Sequence, residues 1–155
     1  MKIHILSDLH IEFHPFELPP TDADVVVLAG DINVGAAGVE WAIENIRNKQ
    51  VVYVLGNHEY YRYAFPDLCK LAKERARGTH VHVLENDSVI IHGVRFLGCT
   101  LWTDFKLNGN PVIARFDAER TLADYHAIRI TAPHRKLRAA DTAAAHESSR
   151  DWLQR

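Results

Sequence analysis

Val51-Val52-Tyr53-Val54-Leu55-Gly56-Asn57-His58-Glu59 decides how this chain folds. An apolar run of strand length stops at a glycine and gives way at once to residues that carry chemistry. The construction occurs twice upstream. Ile3-His4-Ile5-Leu6 runs into Asp8-Leu9-His10, and Val25-Val26-Val27-Leu28-Ala29 runs into Gly30-Asp31. Short runs of this kind read as strands buried on both faces, and such strands belong to parallel sheets. Parallel strands joined by crossovers bring their C-terminal ends to one edge, where open α/β sheets place their ligands. Asp8, His10, Asp31, Asn57 and His58 are therefore expected together.

Taken singly, Asp8 or Asp31 reads equally well as a turn residue or a helix N-cap. Taken together at three successive strand ends, two Asp, an Asn and two His suit a divalent-metal cluster. Asp8 and His10 lie two residues apart, so extended backbone would point both the same way, toward one ion. Asp31 has two oxygens with which to bridge two ions, and Asn57 offers a neutral amide oxygen to the second. Carboxylate, imidazole and amide donors suit Mn²⁺, Fe or Zn²⁺, and these motifs hold no thiolate that would call for a softer metal.

Outward from these runs the order is βαβαβ, followed by a turn to antiparallel structure. A loop containing Pro15, Pro19 and Pro20 cannot be helix interior. The spacing predicts an amphipathic helix over 35–48, burying Val39, Trp41, Ala42, Ile43 and Ile46, and a second over 65–77, with Pro66 in its first turn and Gly78 as its stop. A fourth strand is expected at 81–84 and a β-hairpin from 88–91 and 94–101 across His92-Gly93. A loop at 106–111 and helices over roughly 117–127 and 139–154 complete the chain. Arg135-Lys136-Leu137-Arg138, the densest basic patch, reads as the solvated start of the last helix. There is no repeat, low-complexity tract or linker, so residues 1–155 form one domain unit.

At 155 residues and 47% hydrophobic content the chain can bury a real core. A net charge of −2 gives no electrostatic footprint for nucleic acid or an anionic membrane. No apolar run approaches the ~20 residues that span a bilayer. Met1-Lys2 leads straight into the first strand, without room for a signal peptide, so the cytoplasm is the expected compartment. Cys69 and Cys99 are expected as buried thiols rather than a disulfide. A nucleotide-binding α/β domain is a poorer reading, because no G-x-G-x-x-G loop is present.

Asp-x-His, Gly-Asp and Gly-Asn-His-Glu, in that order on successive strands, resemble the calcineurin-like metallophosphoesterases. Three longer stretches resemble a bacterial branch of that family: Ser7-Asp8-Leu9-His10-Ile11-Glu12-Phe13, Asn57-His58-Glu59-Tyr60-Tyr61 and Gly98-Cys99-Thr100-Leu101-Trp102-Thr103-Asp104-Phe105. The resemblance runs from Met1 to about Leu153. It implies an αββα sandwich built on a mainly parallel sheet plus a hairpin, of which this chain carries the first half to two-thirds. The family pattern continues with a strand ending in a metal-binding His and a Gly-His-x-His motif, and neither occurs in this sequence.

The same resemblance implies a hydrolase acting on a phosphomonoester or phosphodiester through a hydroxide held between two cations. Asp8, His10 and Asp31 would hold the first metal, and Asp31 and Asn57 the second. The other ligands lie in the missing portion, so this chain would hold one ion firmly or none. His58 would serve the substrate phosphate, stabilising charge or protonating the leaving alkoxide. Glu59 would hold the loop through backbone hydrogen bonds. Asp104 would lie on the substrate side or act as a turn residue. The remaining histidines read as surface or core residues.

Two functions follow: a phosphoesterase or the ligand-bearing part of one, and a non-catalytic fragment or interaction module that keeps the fold. A chain stopping after its last helix would leave apolar sheet surface and an open edge, so self-association or a complementing chain is expected.

Overall fold

The computed structural model of the chain describes residues 1–131 and 134–155. Its elements run β1 (Ile3–Leu6), β2 (Val25–Ala29), α1 (Ala37–Asn45), β3 (Gln50–Val54), a 3-10 turn (His58–Tyr60), β4 (Ala64–Phe65) and α2 (Asp67–Ala76). There follow β5 (Val81–Val83), β6 (Asp87–Ile91), β7 (Val94–Gly98), α3 (Pro111–Thr121), α4 (Asp124–Ala127), β8 (Arg129–Ile130), β9 (Arg135–Lys136) and α5 (Ala139–Leu153).

The mainly parallel α/β fold expected from the apolar runs is present. β1, β2, β3 and β5 form one parallel sheet in the order β1-β2-β3-β5, with α1 and α2 as crossovers. Leu6 pairs with Leu28 and Leu28 with Tyr53, so the three strands end level and release their loops at one edge. Every position of β2 is apolar because both its faces are covered. Val26 and Leu28 join Val51 and Tyr53 beneath Val39, Ala42, Leu68 and Ala72 of the helices. Val25 and Val27, with Val52 and Val54, meet Val89, Ile91 and Phe96 of the β6–β7 hairpin on the opposite face.

The hairpin packs on β2 and β3. Ile3 and Ile5, in register with Val25 and Val27, are 42% and 66% exposed.

Element ends differ from expectation where local chemistry intervenes. α3 begins at Pro111 rather than 117, because Pro111 occupies its first position and Asn110 Oδ1 accepts the Ile113 N–H (3.2 Å). It stops at Thr121, and α4 is a separate turn. The basic patch is not a solvated helix start. Arg135 and Lys136 form β9, antiparallel to β8, which pairs parallel with β4. Arg135 grips Asp141 with two bonds of 2.7 Å, and Asp141 also accepts the Arg138 N–H (2.8 Å) at the start of α5.

Cys69 is buried, Cys99 half-buried, and neither is in a disulfide. Burial pushes the Cys69 thiol up to about 11. Among the described residues no helix is long and apolar enough to cross a membrane.

Candidate metal centre

The three strand ends close on one another through strained backbone. Asp8, His10 and Asp31 have φ of 55°, 46° and 55°, a left-handed conformation that non-glycine residues rarely adopt. Asp8 N–H donates to Gly30 O (3.1 Å), His10 N–H to Asp31 O (3.0 Å) and Ile11 N–H to Ile32 O (2.9 Å), so the two loops run on side by side past the sheet. Asp8 and His10 therefore converge because of this turn, not through the alternation of an extended strand. One ligating atom from each of Asp8, His10 and Asp31 lies within 4.8 Å of the others.

Glu59 fastens the second loop to the third. Fully buried, its carboxylate accepts Asp31 N–H (3.0 Å) and Gly56 N–H (2.8 Å) on one oxygen, and Ile32 N–H (2.9 Å) and Tyr53 O–H (2.8 Å) on the other. Burial raises its pKa even against these donors, and burial followed by the Glu59 charge lifts the Tyr53 phenol. Two glycines make the approach possible. Gly30 has φ of +91°, and a Cβ there would lie 2.9 Å from Gly56 Cα. A Cβ on Gly56 would overlap Asp31 Oδ1.

Asp31 Oδ1 also accepts the His58 N–H (2.9 Å), so this carboxylate flanks Asn57 on both sides. The Asn57 amide is oriented from the far end of the chain. Its Nδ2 donates to Asp124 Oδ1 (2.8 Å), which accepts Tyr61 O–H at the same distance. Burial and then Asp124 raise the Tyr61 phenol above its ordinary pKa.

His58 packs edge-on against His10 and stacks on Tyr61, with ring centroids 4.3 Å away in each case. Glu12 Oε1 lies 3.1 Å from His58 Nδ1 and 3.3 Å from His10 Nδ1. Burial works to raise the Glu12 pKa, but hydrogen bonds from its own backbone and from His58 and His10 outweigh it and hold the carboxyl low. Glu12, Phe13, Val34, His58, Tyr61 and Arg62 line a cleft of about 290 Å³.

Asp104 stands apart from this cluster. Its carboxylate accepts the Lys106 N–H (2.9 Å), closing a turn, and it lines a different cleft with Arg115, His146 and Arg150. Sequence reasoning did not single out Glu12, Tyr61 or Arg62 individually, although the first two lie inside the quoted motifs. Asp124 carried no signal, being 67 residues from Asn57.

The donor set fits a divalent cation: two carboxylates of one sign held together with an imidazole, on backbone that would otherwise relax. The chain matches the Calcineurin-like phosphoesterase family over residues 1–155 and belongs to it. Membership supports a hydrolase of phosphoesterase type, and the family generally binds divalent metals.

Among solved structures, the crystal structure of phosphopantetheinyl hydrolase (PptH) from Mycobacterium tuberculosis is similar, with a TM-score of 0.71 at 16% identity. The likeness covers 99% of this chain and 63% of that one, and it shows a shared fold. This chain thus spans less than two-thirds of that structure. No curated protein sequence matches it.

Proposed function

We propose that this chain is the ligand-bearing part of a metal-dependent phosphoesterase acting on phosphomonoesters or phosphodiesters. One observation carries the reading: Asp8, His10 and Asp31 converge within 4.8 Å, beside Asn57 and His58, at the loop edge of the sheet. Asp8, His10 and Asp31 are the residues to hold a first ion, and Asp31 with Asn57 a second, as Mn²⁺, Fe or Zn²⁺. The bound metals would supply a lowered water pKa and neutralisation of phosphoryl charge. His58 faces the cleft, where it can pass a proton to the leaving alkoxide. Arg62 on the same cleft offers a cation to a phosphate oxygen.

Two protein ligands are few for the second ion, so this chain alone should hold one ion and turn over poorly. A second copy could cover Ile3 and Ile5, and a complementing chain could also bring the ligands this one lacks, in a reducing, cytoplasmic setting that suits two free thiols. The same shortage of ligands favours the second reading, an interaction module that keeps the fold without turnover.

Elemental analysis with Mn²⁺ and Zn²⁺ titration, alongside hydrolysis of a chromogenic phosphodiester, tests the proposal. One metal per chain, lost in Asp31→Ala, with slow turnover, is the expected result. A folded chain that binds no metal would leave only the interaction module.

A further inference from the structure

We infer that Glu12 is a positioning residue: a single carboxylate oxygen receives the Nδ1–H of both His10 and His58 and leaves both Nε2 atoms bare. Oε1 lies 3.3 Å from one Nδ1 and 3.1 Å from the other. An ionised carboxylate can only accept, so a hydrogen bond to it requires each ring to donate from Nδ1. Neutral imidazole in water favours the opposite, Nε2-protonated form, so this contact reverses the preference of two rings at once.

The surroundings leave Glu12 little else to do. Its side chain is 15% exposed, and its other oxygen is buried without a hydrogen-bond partner among the described residues. Backbone bonds from Ile11 N–H to Ile32 O (2.9 Å) and Phe13 N–H to His10 O (2.9 Å) fix its place in the turn. Tyr61 stacks on His58 with 21° between the rings, which sets the plane of the imidazole, and Glu12 sets its rotation within that plane. The device is the carboxylate–histidine support of metal ligands, here shared between a proposed ligand and a histidine whose Nε2 must first take up a proton before it can deliver one. The work given to the two Nε2 atoms rests on the proposed function. The tautomers do not.

Long-range proton–nitrogen correlation spectra of the metal-free protein, at a pH where both rings are neutral, test the inference directly. His10 and His58 should each show a protonated Nδ1 and a bare Nε2, and either ring found in the Nε2–H form overturns it. Glu12→Ala should release both tautomers and weaken Mn²⁺ or Zn²⁺ binding by ~10–100-fold. Glu12→Gln, which keeps an acceptor oxygen, should retain both tautomers and lose less affinity. Unchanged tautomers in a folded Glu12→Ala protein would also overturn the inference. If that variant does not fold, the unaltered protein's spectra decide. His10, Glu12 and His58 also have donor atoms within 4.8 Å of one another, and Zn²⁺ held on their Nδ1 atoms would refute the positioning role. Absence of metal binding with the tautomers intact would count against the phosphoesterase reading alone.

Discussion

Replacing Glu59 with alanine should cost this fold about 3 kcal/mol, through the donors it abandons. The carboxylate accepts three backbone N–H groups and the Tyr53 hydroxyl at 2.8–3.0 Å, in a position with no solvent exposure. A buried donor left unpaired costs ~1–3 kcal/mol, so four at the low end come to about 4 kcal/mol. Two effects reduce this. Water can enter the vacated space, and the carboxylate's own desolvation, which raises its pKa, disappears with it. With an unfolding entropy of ~2.1 cal/mol/K per residue over 155 residues, 3 kcal/mol corresponds to a Tm lower by about 9 °C.

Glu59→Gln keeps one acceptor oxygen and should lose about half as much. Its amide is best placed where the Tyr53 hydroxyl can rotate to accept, leaving only Ile32 N–H unpaired. The pH dependence has a definite sign. The folded pKa is raised, so the group's contribution to stability is complete below the unfolded value of 4.5 and is lost as pH rises through the folded pKa. Glu59→Gln should remove that slope. Urea unfolding followed by tryptophan fluorescence, with a thermal melt at matched pH, measures both. A Glu59→Ala protein within ~1 kcal/mol of the parent at unchanged m would refute the staple.

Asp124→Ala should cost ~1–2 kcal/mol and abolish slow exchange of the Asn57 side-chain amide, because Asn57 and Tyr61 share its one oxygen. Asp141→Asn should cost ~1–2 kcal/mol at neutral pH. The bidentate Arg135 depresses the Asp141 pKa below 3.8, so that stability is present above 3.8, is lost as pH falls through the lower folded value, and an acid titration of the variant should lack that step. Cys69, with its thiol at about 11, should stay unreactive toward a disulfide reagent at pH 8 until urea unfolds the chain, while Cys99 reacts first.

The sheet was legible because β2 is apolar at every position and β3 at every position after Gln50, and a run of that length without alternation has few other readings. The first helix was overrun at both ends. Gly35 is left-handed and Ile46 leaves helical geometry, and neither departure shows in an apolar pattern that continues across them. β4, β8 and β9 have two residues each, too short for any period to register, and Arg135 takes its meaning from Asp141 six residues on. The grouping of Asp8 with His10 and Asp31 was legible, but its cause was not. Positive φ at three non-glycine residues is a product of loop-to-loop bonding and leaves no mark in the residue types.

That strain ties the site to the stability of the fold. Three left-handed residues cost ~1–3 kcal/mol each, and the contacts around them hold two carboxylates of like charge side by side. A cation between Asp8 and Asp31 would remove the repulsion without altering the backbone. If the proposed function is right, metal binds only the folded chain, because the unfolded one cannot bring the three ligands together. Free Mn²⁺ at 100 times its Kd should then stabilise by ~2.7 kcal/mol, and at about 3 °C per kcal/mol raise Tm by ~8 °C. Asp31→Ala should melt at a temperature independent of Mn²⁺. The control is Mg²⁺ at equal ionic strength, which prefers oxygen ligands in an octahedral cage and should shift Tm far less. An equal rise with both ions, or one that persists in Asp31→Ala, would place the metal elsewhere and separate the strained loops from metal binding.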